Sequence, residues 1–286
     1  MSSNPSEPFV TYVHDYFPPG VSRIIAWGIN GFIGQVDNST VLKYNLIEGD
    51  DDMSKIEHEH QLLNIVGPHA RIIASKGLTE HGLYLELAEN GNMLDYLVES
   101  KQPDPSLQQR LAWCREIAEA VEYVHSKRVI HCGINPLTVL IDKDYHIKLS
   151  DFQGRHLDEA GQVVMDELAS EPYRYFCPRE DVFDVSWKTD IFALGSTIYF
   201  IMTGQEVFPD IVGGEERWRE KIESRFASGV FPDDPHACAA ITQKCWQQQY
   251  VSASEVLEDI RAIEKLYTTT STETDAGSQN GTKATA

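Results

Sequence analysis

Basic residues are scarce: 24 Lys and Arg face 44 Asp and Glu, a formal net charge of −20. Binding along a phosphate backbone needs clustered cations that release counterions, so nucleic acid and anionic membrane surfaces are not expected partners. Cysteine is also thin. The five present, Cys114, Cys132, Cys177, Cys238 and Cys245, are odd in number and form no Cys-x-x-Cys pair, which fits reduced thiols in the cytosol or nucleus. No apolar run approaches the roughly 20 residues of a membrane span. The longest, Ile191 to Met202, has 12 residues, includes Ser196 and Thr197, and reads as a buried core helix. Met1 to Phe17 has neither a basic start nor an apolar core, so a secretory leader is not expected.

With 42% hydrophobic and 24% charged residues, the composition is that of an ordinary globular protein. At 286 residues the chain exceeds the usual domain of roughly 100 to 200, so one large unit or two packed lobes are expected. Residues 1–21 carry Pro5, Pro8, Pro18, Pro19 and Gly20 and read as an N-terminal extension. From Ser22 the text is strand-like, with Gly28, Gly31 and Gly34 between two apolar stretches and a turn at Asp37-Asn38-Ser39. No helix opens at these glycines, so a dinucleotide-binding turn does not fit and a hairpin does. Val41 to Lys43, Ile72 to Lys76 and Leu83 to Leu87 complete five short strands; an acidic loop, Glu48 to Asp52, and a helix over Met53 to Val66 intervene. Asn90-Gly91 marks a boundary. Beyond it the text turns helical: a short piece at Met93 to Ser100, then helices over Leu107 to His125, Trp187 to Gly204, Glu215 to Phe226 and Ser254 to Leu266. Residues 268–286 contain no aliphatic or aromatic side chain larger than Ala and read as a disordered tail.

The chemistry-bearing stretch is Arg128 to Gly154, where Val139 to Ile141 and Ile147 to Leu149 are short buried strands with polar residues at their ends. It resembles the catalytic loop and metal-binding segment of the eukaryotic protein kinases, His-Arg-Asp, four residues, Asn, then Asp-Phe-Gly. Aligned without a gap, His131 keeps its place, while Cys132 stands for Arg, Gly133 for the catalytic Asp, Asn135 for Lys and Thr138 for Asn. Asp151 and Phe152 remain; Gln153 replaces the Gly. The order of further motifs extends the resemblance over residues 22–267. Gly31, Gly34 and Val36 match the glycine-rich flap, with Ile29 where the first Gly would stand. Lys43 matches the phosphate-contacting Lys, Glu59 its helix partner, Leu85 the gatekeeper, and Glu86 to Ala88 the connector. Cys177 to Glu180 is similar to the Ala-Pro-Glu that closes the activation segment, with one residue altered and one added or shifted, and the Arg that pairs with that Glu is missing after Cys245-Trp246. Asp190 has two readings, a helix cap and the family residue that holds the catalytic-loop backbone.

The resemblance implies an α+β bilobal fold: a small five-stranded lobe with one helix over 22–90, a larger helical lobe over 91–267. It also implies a nucleotide site at Gly31, Gly34, Val36, Lys43, Glu59, Glu86, Ala88 and Leu140, with Asp151 as metal ligand and ATP and Mg²⁺ as the ligands to test for. Gly133, Asn135 and Thr138 remove the base, the phosphoryl cation and a metal ligand. A general base alone is worth about 10² to 10⁴ in rate, so the expected function is a pseudokinase, a binding or regulatory scaffold with an unnamed protein partner. A divergent active serine/threonine kinase and a small-molecule phosphotransferase are the alternatives; Gly133 damages the latter equally. Loss of the loop Arg at Cys132 implies that phosphorylation of the activation segment does not switch the protein on.

Overall fold

The computed structural model describes residues 17–28, 31–45, 53–100 and 102–278, and the strand-rich and helix-rich halves of the text become two lobes. Strands β1 (Arg23–Gly28), β2 (Gly31–Gln35), β3 (Thr40–Tyr44), β4 (Ser75–Thr79) and β5 (Gly82–Glu86) form one antiparallel sheet in the order β1-β2-β3-β5-β4. Helix α1 (Ser54–Val66) packs on β4 and β5 through Ile56, Leu62, Leu63 and Val66, the apolar positions its periodicity marks. Ile29 and the acidic loop lie outside the described residues.

The lobes join through paired chain segments. Asn90 and Gly91, the expected boundary, exchange backbone hydrogen bonds with Ile141 (Asn90 N to Ile141 O, 3.0 Å; Ile141 N to Gly91 O, 2.8 Å). Ile72 and Ile73 were expected in the fourth strand, but that strand starts at Ser75. The two isoleucines, each 2% exposed, instead run beside Ile147–Leu149, Ile73 N donating to Leu149 O at 3.0 Å. Burial against the second lobe outweighs pairing within the first sheet for these side chains.

In the large lobe, α2 (Leu107–Ser126) packs against both α3 (Trp187–Thr203) and α6 (Ala253–Ser278). Ser106 caps α2, its hydroxyl accepting from Gln109 N at 3.2 Å. Helix α3 is buried from Thr189 to Ile201, as its long apolar run requires, and ends at Gly204 in the left-handed conformation (φ 72°). Its start is closed by Ser186 and Thr189, so Asp190 is free of the capping role. Helices α4 (Trp218–Ala227) and α5 (Ala239–Trp246) complete the lobe; α5 has only eight residues, too few for its periodicity to stand out in the text. Met93 to Ser100 contains a π-helical turn at Asp95–Glu99. Helix α6 runs to Ser278 where a disordered tail was expected from residue 268, because each residue added to a packed helix contributes one backbone hydrogen bond without a new nucleation step.

Three small strand pairs frame the lobe junction. β7 (Val139–Ile141) and β8 (Ile147–Leu149) form a hairpin, and β9 (Arg155–Leu157) lies between β6 (Val129–Ile130) and β10 (Val163–Asp166).

The flap glycines divide into those the fold demands and one it does not. Gly31 has φ 130°, and a Cβ there would fall 2.2 Å from Tyr44 O; at Gly28 a Cβ meets nothing within 4 Å among the described residues. Gly31→Ala is therefore expected to destabilise the protein by roughly 2 to 5 kcal/mol, from overpacking and backbone strain together. Gly28→Ala should stay within about 0.5 kcal/mol of the parent. Urea unfolding of the two variants checks the contrast.

Candidate functional site

Lys43 is the fourth of the five residues of β3, opposite Leu83, and is 7% exposed. A strand side chain there must point either into the sheet's buried face or out to solvent, and its neighbours bury it. Its ammonium is satisfied by two carboxylates: Glu59 Oε2 on α1, and Asp151 Oδ1 at 2.5 Å, just beyond β8. The three residues that the resemblance singles out are thus brought together from 16 and 108 positions apart. Burial opposes the Lys43 charge, but Asp151 and then Glu59 outweigh it and hold its pKa above the ordinary value. Burial pushes Glu59 up, and the like charge of Asp151 adds to it against Lys43. Asp151, whose side chain is 30% exposed, stays below the ordinary carboxylate range despite burial because Lys43 faces it. Glu59 Oε1 is buried with no hydrogen-bond partner of ordinary geometry among the described residues, beside a cavity of about 150 Å³ between α1, Phe152, Gln153 and Glu167 to Ala169. That volume is below the roughly 300 Å³ at which ligand pockets begin.

Beneath this cluster Asp190 organises the loop. Its Oδ2 accepts from His131 N at 2.7 Å and lies 2.9 Å from His125 Nε2; its Oδ1 accepts from Cys132 N at 3.0 Å. Cys132 has φ 59°, a left-handed conformation that this double anchor over-determines. His131 is fully buried, lies 3.1 Å from Ser150 O through Nε2, and packs on Phe152 with ring centroids 4.6 Å apart. Burial holds its pKa below the ordinary value, so the ring is neutral.

The three replaced positions face the loop itself. Gly133 has no side chain to act as a base, and its backbone does not demand glycine: a Cβ would meet the His131 ring at 3.5 Å and Asp151 O at 3.7 Å, ordinary contacts. Asn135 donates from Nδ2 to Gly133 O at 2.8 Å and accepts from Leu137 N at 2.9 Å. Thr138 Oγ1 lies 2.8 Å from Gly133 O and 3.0 Å from Asn135 O. Both side chains, buried at 5% and 6% exposure, staple the turn from inside.

The remaining nucleotide positions lie around this centre. Gly31 and Gly34 are in β2, where the Gly34 position is closed by Val21 and Tyr44 (2.5 and 3.0 Å from a Cβ), so these glycines serve the sheet's own packing. Val36 and Leu140 are half-buried and Ala88 is buried. Glu86 pairs with Lys148, cross-strand from Leu140, at 2.8 Å, tying the connector to the β7–β8 hairpin.

A metal ion at Asp151 would have to compete for the carboxylate with the donors already on it. Oδ1 holds Lys43, and Oδ2 accepts from Gln153 Nε2 at 2.5 Å. The second metal position of the resemblance, Thr138, offers a hydroxyl turned onto the loop carbonyls. As arranged, these residues do not fit a metal ion.

Reasoning from the sequence missed the closure of the activation segment. Glu180 was expected as its carboxylate but is exposed. Arg179, directly after Pro178, takes that place with the opposite charge and pairs with Glu171 at 2.7 Å, a carboxylate 5% exposed. Burial raises the pKa of Glu171, Arg179 counteracting it. The visible signal was a basic residue in an acid's place with an acid eight positions before it. Arg174 is likewise buried, its guanidinium donating to Phe208 O at 3.0 Å and Ile211 O at 2.6 Å and facing Glu206 at 3.0 Å.

Residues 35–257 match the family model of protein tyrosine and serine/threonine kinases. With the bilobal fold and the assembled Lys-Glu-Asp cluster, this places the chain in that family: it belongs to the protein kinase superfamily. The chain is 26% identical over 270 residues to fibroblast growth factor receptor homolog 1 of Drosophila melanogaster, covering 83% of the chain and 36% of that protein. It is similar to the angiopoietin-1 receptor of Danio rerio, at 27% identity over 70% of the chain and 19% of the receptor. It also resembles the serine/threonine-protein kinase SIK2 of Gallus gallus, at 28% identity over 55% of the chain and 20% of the kinase. The chain thus spans about a third or less of the length of these relatives. No helix among the described residues is long and apolar enough to cross a membrane.

Removing Lys43 leaves two carboxylates facing each other without a cation. Lys43→Ala should cost roughly 3 to 5 kcal/mol, the range for breaking a buried ion pair by deleting one partner, read as a lower urea midpoint. A pH effect follows from His131. Its folded pKa is below the unfolded value near 6.5, so the unfolded chain takes up more protons and stability falls as pH drops below that value. His69 and His236 are shifted the same way. Relative to wild type, His131→Gln should reduce the loss of stability between about pH 6.5 and about pH 5 by up to one proton, roughly 1.4 kcal/mol per pH unit.

Proposed function

We propose that this kinase domain is a pseudokinase, a nucleotide-holding scaffold that acts by binding a protein partner and transfers no phosphate. One observation carries the reading: in the catalytic loop Asn135 and Thr138 are hydrogen-bonded to the carbonyl of Gly133, so the three positions that should act on substrate and phosphate instead close a turn. Phosphoryl transfer depends on positioning and charge stabilisation. Here the base is absent, and no side chain of the loop directs a cation toward a phosphoryl group. ATP is the ligand the family implies; Lys43 supplies the phosphate contact, Val36, Ala88 and Leu140 the apolar walls, and Gly31 and Gly34 the flap.

A second reading has support of its own. The Lys43–Glu59 pair is formed and Asp151 points at it, which is the arrangement of a kinase ready for nucleotide, so a divergent active kinase working by positioning alone is the alternative. The relatives' names include growth factor receptors and a serine/threonine-protein kinase, which single out no acceptor residue.

Purified protein with radiolabelled ATP and a generic protein substrate decides between the two. The expected outcome is no transfer by wild type and measurable transfer by the triple variant Gly133→Asp, Asn135→Lys, Thr138→Asn, since Gly133 accepts a Cβ without strain. Gly133→Asp alone should do little, because the roles are cooperative. Wild-type transfer equal to that of the triple variant would establish the active reading. Nucleotide binding is read separately by thermal shift, where ATP at about 100 times its Kd adds roughly 2.7 kcal/mol. Lys43→Met should abolish that shift.

A further inference from the structure

The residue after Phe152 is the one departure in the Asp151 segment, and the structure gives it a contact. Gln153 is half-buried, and its amide nitrogen lies 2.5 Å from Asp151 Oδ2. An amide N–H is a neutral donor with the direction a carboxylate lone pair requires. The other oxygen, Oδ1, is taken by Lys43 at 2.5 Å. A divalent cation arriving with nucleotide would have to displace the Gln153 donor or compete with an ammonium. It would find no second charged oxygen at position 138, where Thr138 is turned inward onto Gly133 O and Asn135 O. Glycine in place of Gln153 would carry no side-chain donor at all, so the substitution adds an occupant to Asp151 where the family pattern leaves the carboxylate open.

We infer that the Gln153 amide closes the metal position of Asp151, so that this chain binds nucleotide without using a divalent cation. The inference rests on the proposal that the site holds ATP. Asp151 then works as a structural anion for Lys43, and Gln153 determines which form of the nucleotide the site accepts. The device depends on a single side chain that the backbone does not require, since Gln153 is not in the left-handed region.

The test is calorimetric titration of the full chain with ATP, in EDTA and in excess Mg²⁺. Wild type should bind with affinities within about threefold of each other, less than 0.7 kcal/mol apart. Gln153→Met keeps the side chain's length but removes the donor, and Gln153→Ala removes both; each should gain at least about tenfold on adding Mg²⁺, some 1.4 kcal/mol. Adding Asp151→Asn to Gln153→Met should cancel the gain, which ties it to the freed carboxylate. Wild type that already gains tenfold from Mg²⁺ overturns the inference and leaves the nucleotide reading standing. Variants that bind ATP but respond to Mg²⁺ no more than wild type also overturn it. Absence of ATP binding to wild type and variants under both conditions defeats the nucleotide reading, and this inference falls with it.

Discussion

One cation between two carboxylates holds the lobes in register. Lys43 comes from the small sheet, Glu59 from the helix beside it and Asp151 from the large lobe, and the ammonium is almost without solvent. Burial, with the like charge of Asp151 added to it, raises the Glu59 pKa against Lys43, while Asp151 stays below the ordinary carboxylate range because Lys43 faces it. Taking these groups out of water is costly, and their mutual attraction repays that only while all three are aligned. The position of α1, the path of the chain after β8 and the reach of β3 are thereby coupled.

Asp190 does for the loop what Lys43 does for the lobes. Two consecutive backbone N–H groups, at His131 and Cys132, aim at its two oxygens from a helix otherwise buried in apolar contacts. Buried donors of this kind leave a large penalty when unpaired, so the loop's course is held whatever its outward side chains do. This separates architecture from chemistry: the loop keeps its shape with Gly133 in the acid's position, and Asn135 and Thr138 reinforce it from within. The activation segment shows the same separation, since its end is tied down by a local ion pair within the segment, Arg179 on Glu171, although the Arg after Cys245-Trp246 is missing.

Much of the fold was legible in the text because it is written in local patterns. The stripe over Leu107 to His125, the apolar run of α3 and the turn signals around β7 and β8 each follow from periodicity within one segment. Lys43, Glu59 and Asp151 were legible as a set through the spacing of motifs. The beginning of β4 was misplaced because Ile72 and Ile73 are as apolar as strand residues yet pack across the lobe junction, and α5 was missed because eight residues hold too little periodicity. The end of α6 was misjudged from composition alone, although a helix already packed continues at little cost.

By itself the sequence determined most strands and helices of both lobes and, through the family resemblance, the bilobal class and the glycine at position 133, because each depends on residue identity and near neighbours. Only the tertiary structure decided which groups the survivors touch. Gln153 reads as a lost glycine until the fold turns its amide onto Asp151; Asn135 and Thr138 read as lost ligands until they are seen stapling Gly133; Arg179 reads as an insertion until Glu171 is found beneath it. Hydrogen bonds and ion pairs depend on distance and direction within a few tenths of an ångström, and those are set by the packing of the whole chain.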